Sequence, residues 1–430
     1  MSKRKEPALA PNLMRELNKS LVLKVIREER PISRAEIAKR TRLSRSTVSA
    51  IVDKLLESEF IREQGVGKSR GGRRPILLDF NPRAGFVVGL DIGATHLLAV
   101  VADLQATLLV TLEEPFSIEV GPEKGLAQAA QIVETALEQA NISRPRVLGV
   151  GVAVPGPVDY AAGMVVSPPI MPGWDRVPIR DRLQGALGLP VYLDNDANLG
   201  ALGEYAYGAG KNVSNLAYIK IGTGIGCGLI VDGRIYRGQR GYAGEIGHLT
   251  IDENGPPCRC GSFGCLESMA SAEAIVRRAE MAMQAGQQTS LSQHRRLTAT
   301  DIARAARERD ALSQQLFEEA GRHIGVALAG LINLFNPGRV IIGVGADETS
   351  ELLLDPVQRT VGARAMAGSL ADTRIVPAQL RREAVAAGAV ALVLEQTFRN
   401  PVTALAQGNW SDLHREEVMR EETETPVLER

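Results

Sequence analysis

Aromatic residues, cysteines and long apolar runs are all scarce in this chain. Phe, Tyr and Trp make up 4% of the 430 residues, and cysteine occurs four times. No apolar run reaches the roughly 20 residues that a membrane-spanning helix needs, and the basic start at residues 1–12 lacks the apolar segment of a secretory signal. We therefore expect a cytoplasmic protein without membrane contact. Thiols stay reduced there, so a tight cysteine cluster favours a metal over a disulfide.

Charge is unevenly distributed, although the chain as a whole is neutral. Residues 1–80 contain 19 lysines and arginines against 10 aspartates and glutamates, a net charge of +9, and the remaining residues carry −9. The length predicts two or three domains. A basic module on an acidic body indicates a polyanion partner for the module alone, and the alternative is an ordinary solvated basic face.

The basic segment has the pattern of a helix-turn-helix. Helical spacing predicts a first helix whose apolar face is Leu13, Leu17, Leu21, Val25 and Ile26. Ser33 and Glu36 form a capping box, which predicts a second helix over about residues 33–41. Ser44 is the expected N-cap of a third helix, whose apolar face is Val48, Ile51, Val52, Leu55 and Leu56. Two short helices joined by a tight turn indicate a DNA-binding motif; a plain three-helix bundle is the alternative.

The expected DNA contacts lie on the third helix and on the segment that follows it. The exposed start of that helix offers donors that can reach phosphates and base edges in a major groove, namely Arg45, Ser46, Thr47 and Ser49. Two short apolar strands then flank a loop that sets arginines among glycines, namely Arg70, Arg73 and Arg74. Such a loop suits a narrow groove with a strong negative potential. We therefore predict a winged helix that binds double-stranded DNA, rather than a plain hairpin turn.

Two similar glycine hairpins mark the larger part of the chain. In the first, an apolar strand runs into a turn that carries Asp91, Gly93 and Thr95. The second recurs later, and its turn residues are Gly222, Thr223 and Gly224. A repeated hairpin indicates a duplicated α/β architecture. Such loops also turn backbone N–H groups towards a phosphate, although each loop alone is weak evidence for that role.

A polar run follows the apolar strand at residues 191–193. It contains Asp194, Asn195, Asp196 and Asn198. Strand ends in open α/β sheets face the ligand crevice, so Asp196 could act as a general base on a hydroxyl and Asn195 could bind neighbouring hydroxyls. The alternative is that the run only caps a helix over residues 199–207, with Asp194 or Asn198 as the N-cap.

Three of the four cysteines lie within eight residues, and a histidine lies ten residues upstream. The set is His248, Cys258, Cys260 and Cys265, and Glu245 and Glu267 bracket it. Three thiolates and one imidazole form the tetrahedral set that zinc prefers, so we expect a structural Zn²⁺ that holds this loop. Ordinary buried cysteines or a redox pair are the alternatives. Cys227, in an apolar strand, is expected to be a packed free thiol.

These motifs resemble those of the repressor, open reading frame and kinase (ROK) family. They are GEIGH at 244–248, CRCGSFGCLE at 258–267, NDAN at 195–198 and the paired glycine hairpins. With the N-terminal winged helix, the chain is similar to the family's transcriptional regulators, in the branch of the xylose and N-acetylglucosamine repressors. The resemblance implies an α/β fold with a winged helix-turn-helix at residues 1–82 and an actin-like, hexokinase-like domain of two lobes at 85–400. A charged tail at 401–430 follows.

The resemblance also implies roles for individual residues. Sugar hydroxyls would meet Asn195, Asp196, Glu245, His248 and Glu267, and zinc on the other ring nitrogen would orient His248. Asp196 matches the catalytic base of the kinases. The loops that match their ATP loops contain Asp91, Gly93, Thr95, Gly222, Thr223, Gly224, Gly343 and Gly345. The chain departs from the kinases at Ala94 and His96, where they usually carry glycine and lysine, and it lacks Pro-Asn-Leu in the sugar-contacting loop at 167–174.

We therefore expect a sugar-responsive transcriptional regulator, specifically a repressor of carbohydrate-utilisation genes. It would bind an operator as a homodimer or homotetramer, since paired recognition helices read two half-sites. A small sugar in the cleft would favour one arrangement of the lobes. One alternative is a sugar kinase that uses ATP and Mg²⁺, with Asp196 as base, and carries a DNA-binding domain. Another is a regulator controlled by a protein partner.

Overall fold

The N-terminal part of the chain folds as a winged helix-turn-helix. A computed structural model describes residues 11–67, 74–345 and 347–399. The first elements are α1 (Pro11–Glu28), β1 (Ile32–Ser33), α2 (Arg34–Thr41), α3 (Arg45–Glu57), β2 (Ile61–Val66) and β3 (Ile76–Phe80). Strands β1 and β2 pair antiparallel with opposite edges of β3. The two helices and the hairpin confirm the predicted motif, whereas most of the predicted basic loop, residues 68–73, lies outside the described residues.

Side-chain caps set the starts of α2 and α3 where the sequence predicts them. The Ser33 hydroxyl accepts from the Glu36 N–H at 3.4 Å, and the Glu36 carboxylate accepts from the Ser33 N–H at 3.1 Å. The Ser44 hydroxyl accepts from the Thr47 N–H at 3.0 Å. Each such cap stabilises its helix by about 0.5–2 kcal/mol. Arg42 ends α2 in the left-handed region with φ 58°, which makes the sharp turn into α3.

The predicted buried face of α1 is wrong at two positions. Leu17 and Leu21 are 50% and 40% exposed, whereas Val22, Leu23 and Ile26 are buried. The buried stripe of α1 instead faces the last helix of the chain and β3. The residues against which α1 packs are therefore distant from it in sequence. Helical spacing alone is compatible with either rotation.

The first lobe is built on a five-stranded sheet. In chain order its elements are β4 (Phe86–Ile92), β5 (His96–Asp103), β6 (Leu108–Pro115), α4 (Pro122–Gln139), β7 (Val147–Val154), the hairpin β8 (Val158–Asp159) and β9 (Met164–Val165), α5 (Ile179–Leu187) and β10 (Val191–Asn195). The strand order in space is β10-β7-β4-β5-β6. Strand β4 pairs antiparallel with β5 and parallel with β7, and β10 extends the parallel side. Helices α4 and α5 cover one face of this sheet.

The second lobe repeats this plan. Its elements are α6 (Asp196–Tyr207), β11 (Leu216–Ile221), β12 (Ile225–Val231), β13 (Arg234–Ile235), α7 (Leu266–Ala270), α8 (Ala272–Gln284), α9 (Ala299–Arg307), α10 (Ala311–Phe335), β14 (Arg339–Val344), α11 (Asp347–Arg364), α12 (Ala367–Leu370), β15 (Arg374–Pro377) and α13 (Ala384–Arg399). Strand β11 pairs antiparallel with β12 and parallel with β14, as β4 does with β5 and β7. The predicted duplicated α/β architecture is therefore confirmed. None of the helices in the described ranges has both the length and the apolar composition that crossing a bilayer requires.

Helices α6 and α13 cross each other between the two sheets. Helix α13 packs on β4 and β7 of the first lobe, and α6 packs on β11 and β12 of the second. At the crossing, Gly388 of α13 faces the Leu199 carbonyl, and Gly203 of α6 faces the Ala384 carbonyl. A Cβ at either glycine would overlap the carbonyl oxygen of the other helix, so the two backbones approach as closely as glycine allows.

The winged helix shares one hydrophobic core with the first lobe. Buried residues of α1, α3 and β3 form a single cluster with Val87, Val100 and Leu148 of the first sheet and with α13. The Arg27 guanidinium lies over the Phe398 ring at 3.5 Å from its centroid. The Ser20 hydroxyl donates to the Phe398 carbonyl at 2.7 Å. The DNA-binding motif is therefore packed directly on the helix that also crosses α6.

Candidate functional site

A cavity of about 410 Å³ lies between the two lobes. Its walls contain all five residues predicted to meet hydroxyls, namely Asn195, Asp196, Glu245, His248 and Glu267. The predicted phosphate-loop residues that line the same cavity are Asp91, Thr95, Gly222, Thr223, Gly224, Gly343 and Gly345. Gly93 instead closes the β4–β5 turn, where its N–H donates to the His96 carbonyl at 2.9 Å. The structure thus brings the two predicted groups of residues into one cleft.

The junction of β10 and α6 differs from the predicted cap. Helix α6 begins at Asp196, three residues before the predicted start, and Asn195 is its N-cap with an extended backbone. The Asn195 amide oxygen accepts from the N–H groups of Ala197 and Asn198 at 2.9 and 3.2 Å. The expectation that Asp194 or Asn198 forms the cap is therefore wrong. The reason is that β10 continues two residues beyond the predicted strand, to Asn195, before the chain turns into the helix.

Asp194 is held by an arginine from the second lobe. Its Oδ2 accepts from the Arg237 guanidinium at 2.6 Å, and its Oδ1 accepts from the Asn198 amide at 3.0 Å. The Asp194 side chain is almost completely buried, so this ion pair ties β10 firmly to the segment after β13.

Asp196 is paired with Lys220, a residue that the sequence analysis missed. Asp196 Oδ1 accepts from the Ala197 N–H at 2.7 Å, and Oδ2 accepts from the Lys220 ammonium. Burial alone would lower the pKa of Lys220, but the nearby carboxylates of Asp196 and Asp91 outweigh it and raise the pKa, so Lys220 stays charged. The one signal in the sequence was a lysine inside an otherwise apolar strand.

The histidine and three cysteines of the zinc-like motif meet in space. The ligand atoms of His248, Cys258, Cys260 and Cys265 all lie within 4.8 Å of one another. The His248 Nδ1 to Cys258 Sγ distance is 3.7 Å, as is the Cys260 Sγ to Cys265 Sγ distance. A tetrahedral zinc with bonds of about 2.3 Å to sulfur would space its ligands by roughly 3.8 Å. The spacing and the ligand types of the cluster therefore fit a tetrahedral ion that prefers sulfur and nitrogen ligands, such as Zn²⁺.

His248 connects this cluster to the cleft. Its Nδ1 faces the cysteines, while its Nε2 lies 3.9 Å from Glu245 Oε2 on the cavity side. Glu267, on α7, accepts from the Ile225 N–H at 3.0 Å. Burial raises the pKa of both Glu245 and Glu267. A cation on Nδ1 would leave Nε2–H pointing at the cleft as a hydrogen-bond donor.

Cys227 lies outside this cluster. It is buried in β12, and burial raises the pKa of its thiol to about 12. The thiol therefore stays protonated and packs as a small apolar group, as predicted.

The candidate DNA-contacting residues lie at the start of α3. Arg45 and Ser46 are exposed, and Thr47 and Ser49 are half-buried. The Ser44 hydroxyl lies 2.9 Å from the Ser46 hydroxyl and 2.7 Å from the Thr47 hydroxyl, so two predicted contacts also belong to the cap. Arg74 is exposed beside β3, whereas Arg70 and Arg73 lie outside the described residues.

Comparison with known proteins bears on both parts of the chain. The profile described as "ROK family" matches residues 87–396, and the one described as "Winged helix-turn-helix DNA-binding" matches residues 16–62. A relative from Caldicellulosiruptor sp. (strain Rt8B.4), named "Putative xylose repressor", is 35% identical over 394 residues. That match covers 90% of this chain and 98% of the relative.

Two solved structures share the fold. One, described as a "ROK family transcriptional regulator, homolog of E.coli MLC protein", has a TM-score of 0.78 at 27% identity and covers 91% of this chain and 98% of its own. The ROK family glucokinase from Streptomyces griseus, solved with glucose and AMPPNP, has a TM-score of 0.65 at 32% identity. It covers 72% of this chain and 99% of its own. Since the family profile spans most of the chain and the first relative matches almost end to end, the chain belongs to the ROK family.

Proposed function

We propose that this chain is a sugar-responsive transcriptional repressor of carbohydrate-utilisation genes. The observation that carries the proposal is a winged helix packed on a two-lobed domain whose cleft is lined by carboxylates, an amide and a histidine, in one chain that spans 98% of a relative named "Putative xylose repressor". The winged helix binds a DNA operator, and a small sugar in the cleft changes the operator affinity. The name of that relative makes D-xylose the first sugar to test.

Sugar recognition in this proposal rests on Asn195, Asp196, Glu245, His248 and Glu267. The carboxylates at the cleft walls can accept from ring hydroxyls, and the amide can both accept and donate. A structural Zn²⁺ held by His248, Cys258, Cys260 and Cys265 keeps the His248 ring in place, so its Nε2–H points at the sugar. Glu245 and Glu267, which line the same cavity, accept from neighbouring hydroxyls.

DNA recognition rests on the exposed start of α3 and on the basic loop. In this proposal α3 enters the major groove with Arg45, Ser46, Thr47 and Ser49, and the arginines near β3 follow the adjacent narrow groove, namely Arg70, Arg73 and Arg74. Two copies of the chain, as a homodimer or within a homotetramer, read the two half-sites of the operator.

Operator affinity is expected to fall when the right sugar binds. The probe is a duplex that the full-length protein selects from a random library, titrated with D-xylose, D-glucose and N-acetylglucosamine in turn. We expect one of them to weaken DNA binding about tenfold, within the usual range of allosteric coupling. Glu245→Gln removes a charged acceptor and should weaken sugar binding about tenfold, without changing operator affinity in the absence of sugar. If no sugar shifts operator affinity, the sensor part of the proposal fails.

Arg45→Ala is expected to weaken operator binding about tenfold, as loss of a base or phosphate contact does. Sugar affinity should stay unchanged, because Arg45 lies on α3 and not in the cleft. Arg364→Ala, an exposed arginine on α11, is the matched control. Equal losses in both variants would show that only overall positive charge matters, and would contradict a specific role for α3.

A sugar kinase with a DNA-binding module is the second candidate. It is favoured by the likeness to the Streptomyces griseus glucokinase and by the position of Asp196 in the same cavity as the glycine loops. In that case Asp196 takes the proton of the accepting hydroxyl, and ATP with Mg²⁺ occupies the loops. Formation of ADP that depends on a sugar and disappears in Asp196→Asn would support this candidate.

A further inference from the structure

Lys220 lies where the two walls of the cleft meet. It occupies β11, two residues before the glycine loop at 222–224, and its ammonium pairs with Asp196 at the start of α6. The side chains of Lys220 and Asp196 are 27% and 10% exposed. Because Lys220 lines the same cavity as the hydroxyl-binding residues and the glycine loops, its charge lies within the space where a sugar and a phosphate group would meet.

The Lys220 ammonium affects whether the Asp196 carboxylate can act as a general base. One oxygen of Asp196 accepts from the Ala197 N–H at 2.7 Å, and the other accepts from Lys220. A general base must receive the proton of a hydroxyl that donates to it directly. Here the helix backbone occupies one oxygen and the ammonium occupies the other. A carboxylate has about four lone-pair sites, so a hydroxyl can still donate to Asp196 while Lys220 remains bound.

The surroundings favour this position of the ammonium. Asp91 is buried in the cavity wall, and its charge acts on Lys220 together with that of Asp196. The His96 ring also contacts Asp91, with Nε2 at 3.3 Å from Oδ2. An ammonium attracted by two buried carboxylates has little to gain by moving into the open part of the cavity.

We propose that Lys220 makes this cleft bind sugar without phosphorylating it, by holding in an ion pair the carboxylate that would otherwise act as base. The inference rests on the proposed function, because it requires a sugar in the cleft. In the suppressed reaction, the sugar oxygen bonds to the γ-phosphorus of a nucleoside triphosphate and the bond from that phosphorus to the bridging oxygen breaks. The nucleoside diphosphate leaves with that electron pair, and the hydroxyl proton passes to Asp196. Lys220 opposes that proton transfer because a protonated Asp196 would lose its ion pair with the ammonium, whereas the hydrogen bond from the hydroxyl keeps the ion pair.

Removing the ammonium from the full-length protein tests this. Lys220→Met keeps the unbranched stem without the charge, Lys220→Thr is a second uncharged variant should the first fold poorly, and Lys220→Arg is the control that keeps a cation. Each protein is incubated with ATP, Mg²⁺ and D-xylose, D-glucose or N-acetylglucosamine, and ADP is measured. We expect the uncharged variants to exceed wild type about 100-fold, the lower end of what a general base supplies. Lys220→Arg should show no gain, and adding Asp196→Asn to Lys220→Met should abolish the gain.

Binding measurements decide what a negative result means. Calorimetry with the same sugars and with a non-hydrolysable ATP analogue shows whether each ligand enters the cleft. An uncharged variant that binds both ligands without gaining turnover overturns the proposal. So does a wild-type protein that turns over faster than the variant, or a cleft that binds no nucleotide, since phosphorylation is then absent for another reason. Operator titrations on the same samples test the proposed repressor function separately. If sugar does not change operator affinity, that function is contradicted, and the ADP measurement still tests the role of Lys220.

Discussion

Gly388→Ala is expected to prevent the two-lobed domain from folding. A Cβ on Gly388 would lie far inside the 3.0 Å limit that real Cβ atoms respect, and the atom it meets is the backbone carbonyl oxygen of Leu199. Gly203 meets the Ala384 carbonyl in the same way, so α6 and α13 cannot separate without displacing the sheets on which they pack. We expect a loss of at least about 4 kcal/mol, which is typical of severe core defects.

Soluble yield and the midpoint of thermal unfolding of the full chain measure this effect. Gly185→Ala is the matched control, since Gly185 is an exposed glycine of α5 and a Cβ there meets nothing within 4 Å. Replacing such a helical glycine should stabilise by about 0.4–1 kcal/mol. A midpoint for Gly388→Ala within about 4 °C of wild type would contradict the predicted clash.

If the cluster of His248, Cys258, Cys260 and Cys265 holds Zn²⁺ as proposed, removing that metal is expected to weaken the sugar response before it weakens DNA binding. Cys260→Ser takes one ligand from the cluster, and a zinc chelator empties it. Without the metal, His248 loses the partner that orients its ring towards the cleft, so sugar affinity should fall about 10- to 100-fold, as it does when partners that orient site residues are lost. The winged helix packs on the first lobe and α13, with no residue of the cluster in that core, so operator affinity should change little.

Metal analysis of the purified protein and paired titrations with sugar and operator check this prediction. Cys227→Ala is the matched control, because Cys227 is a buried thiol outside the cluster. It should keep the metal, because the four candidate ligands are unchanged. Equal loss of sugar and operator binding in Cys260→Ser would show instead that the loop stabilises the whole fold.

Local chemistry made much of the winged helix predictable. The Ser33 capping box and the Ser44 cap depend on hydrogen bonds within four residues, so the sequence contains all the information that places α2 and α3. The rotation of α1 depends instead on α13 and β3, which lie far from α1 in the sequence. Helical periodicity therefore identified the helix and misplaced its buried face at Leu17 and Leu21.

In the candidate site, too, local features were predictable from the sequence and long-range contacts were not. The zinc-like cluster was predictable because its ligands are of one chemical kind and three of them lie within eight residues. The role of Lys220 was not predictable, because it depends on an ion pair with Asp196 that only the folded chain brings together. The cap at Asn195 was missed, since Asp194 and Asn198 also have side chains able to accept from helix N–H groups.

The core that the winged helix shares with the first lobe also limits how such proteins can be recombined. A chimera with another DNA-reading module in place of residues 11–80 must present a matching apolar face to Val87, Val100 and Leu148 and a partner for the Phe398 ring. Without that match, the graft leaves a contiguous apolar surface in water, which favours aggregation. Changing operator specificity through side chains at the start of α3 avoids this difficulty, because those positions are largely outside the shared core.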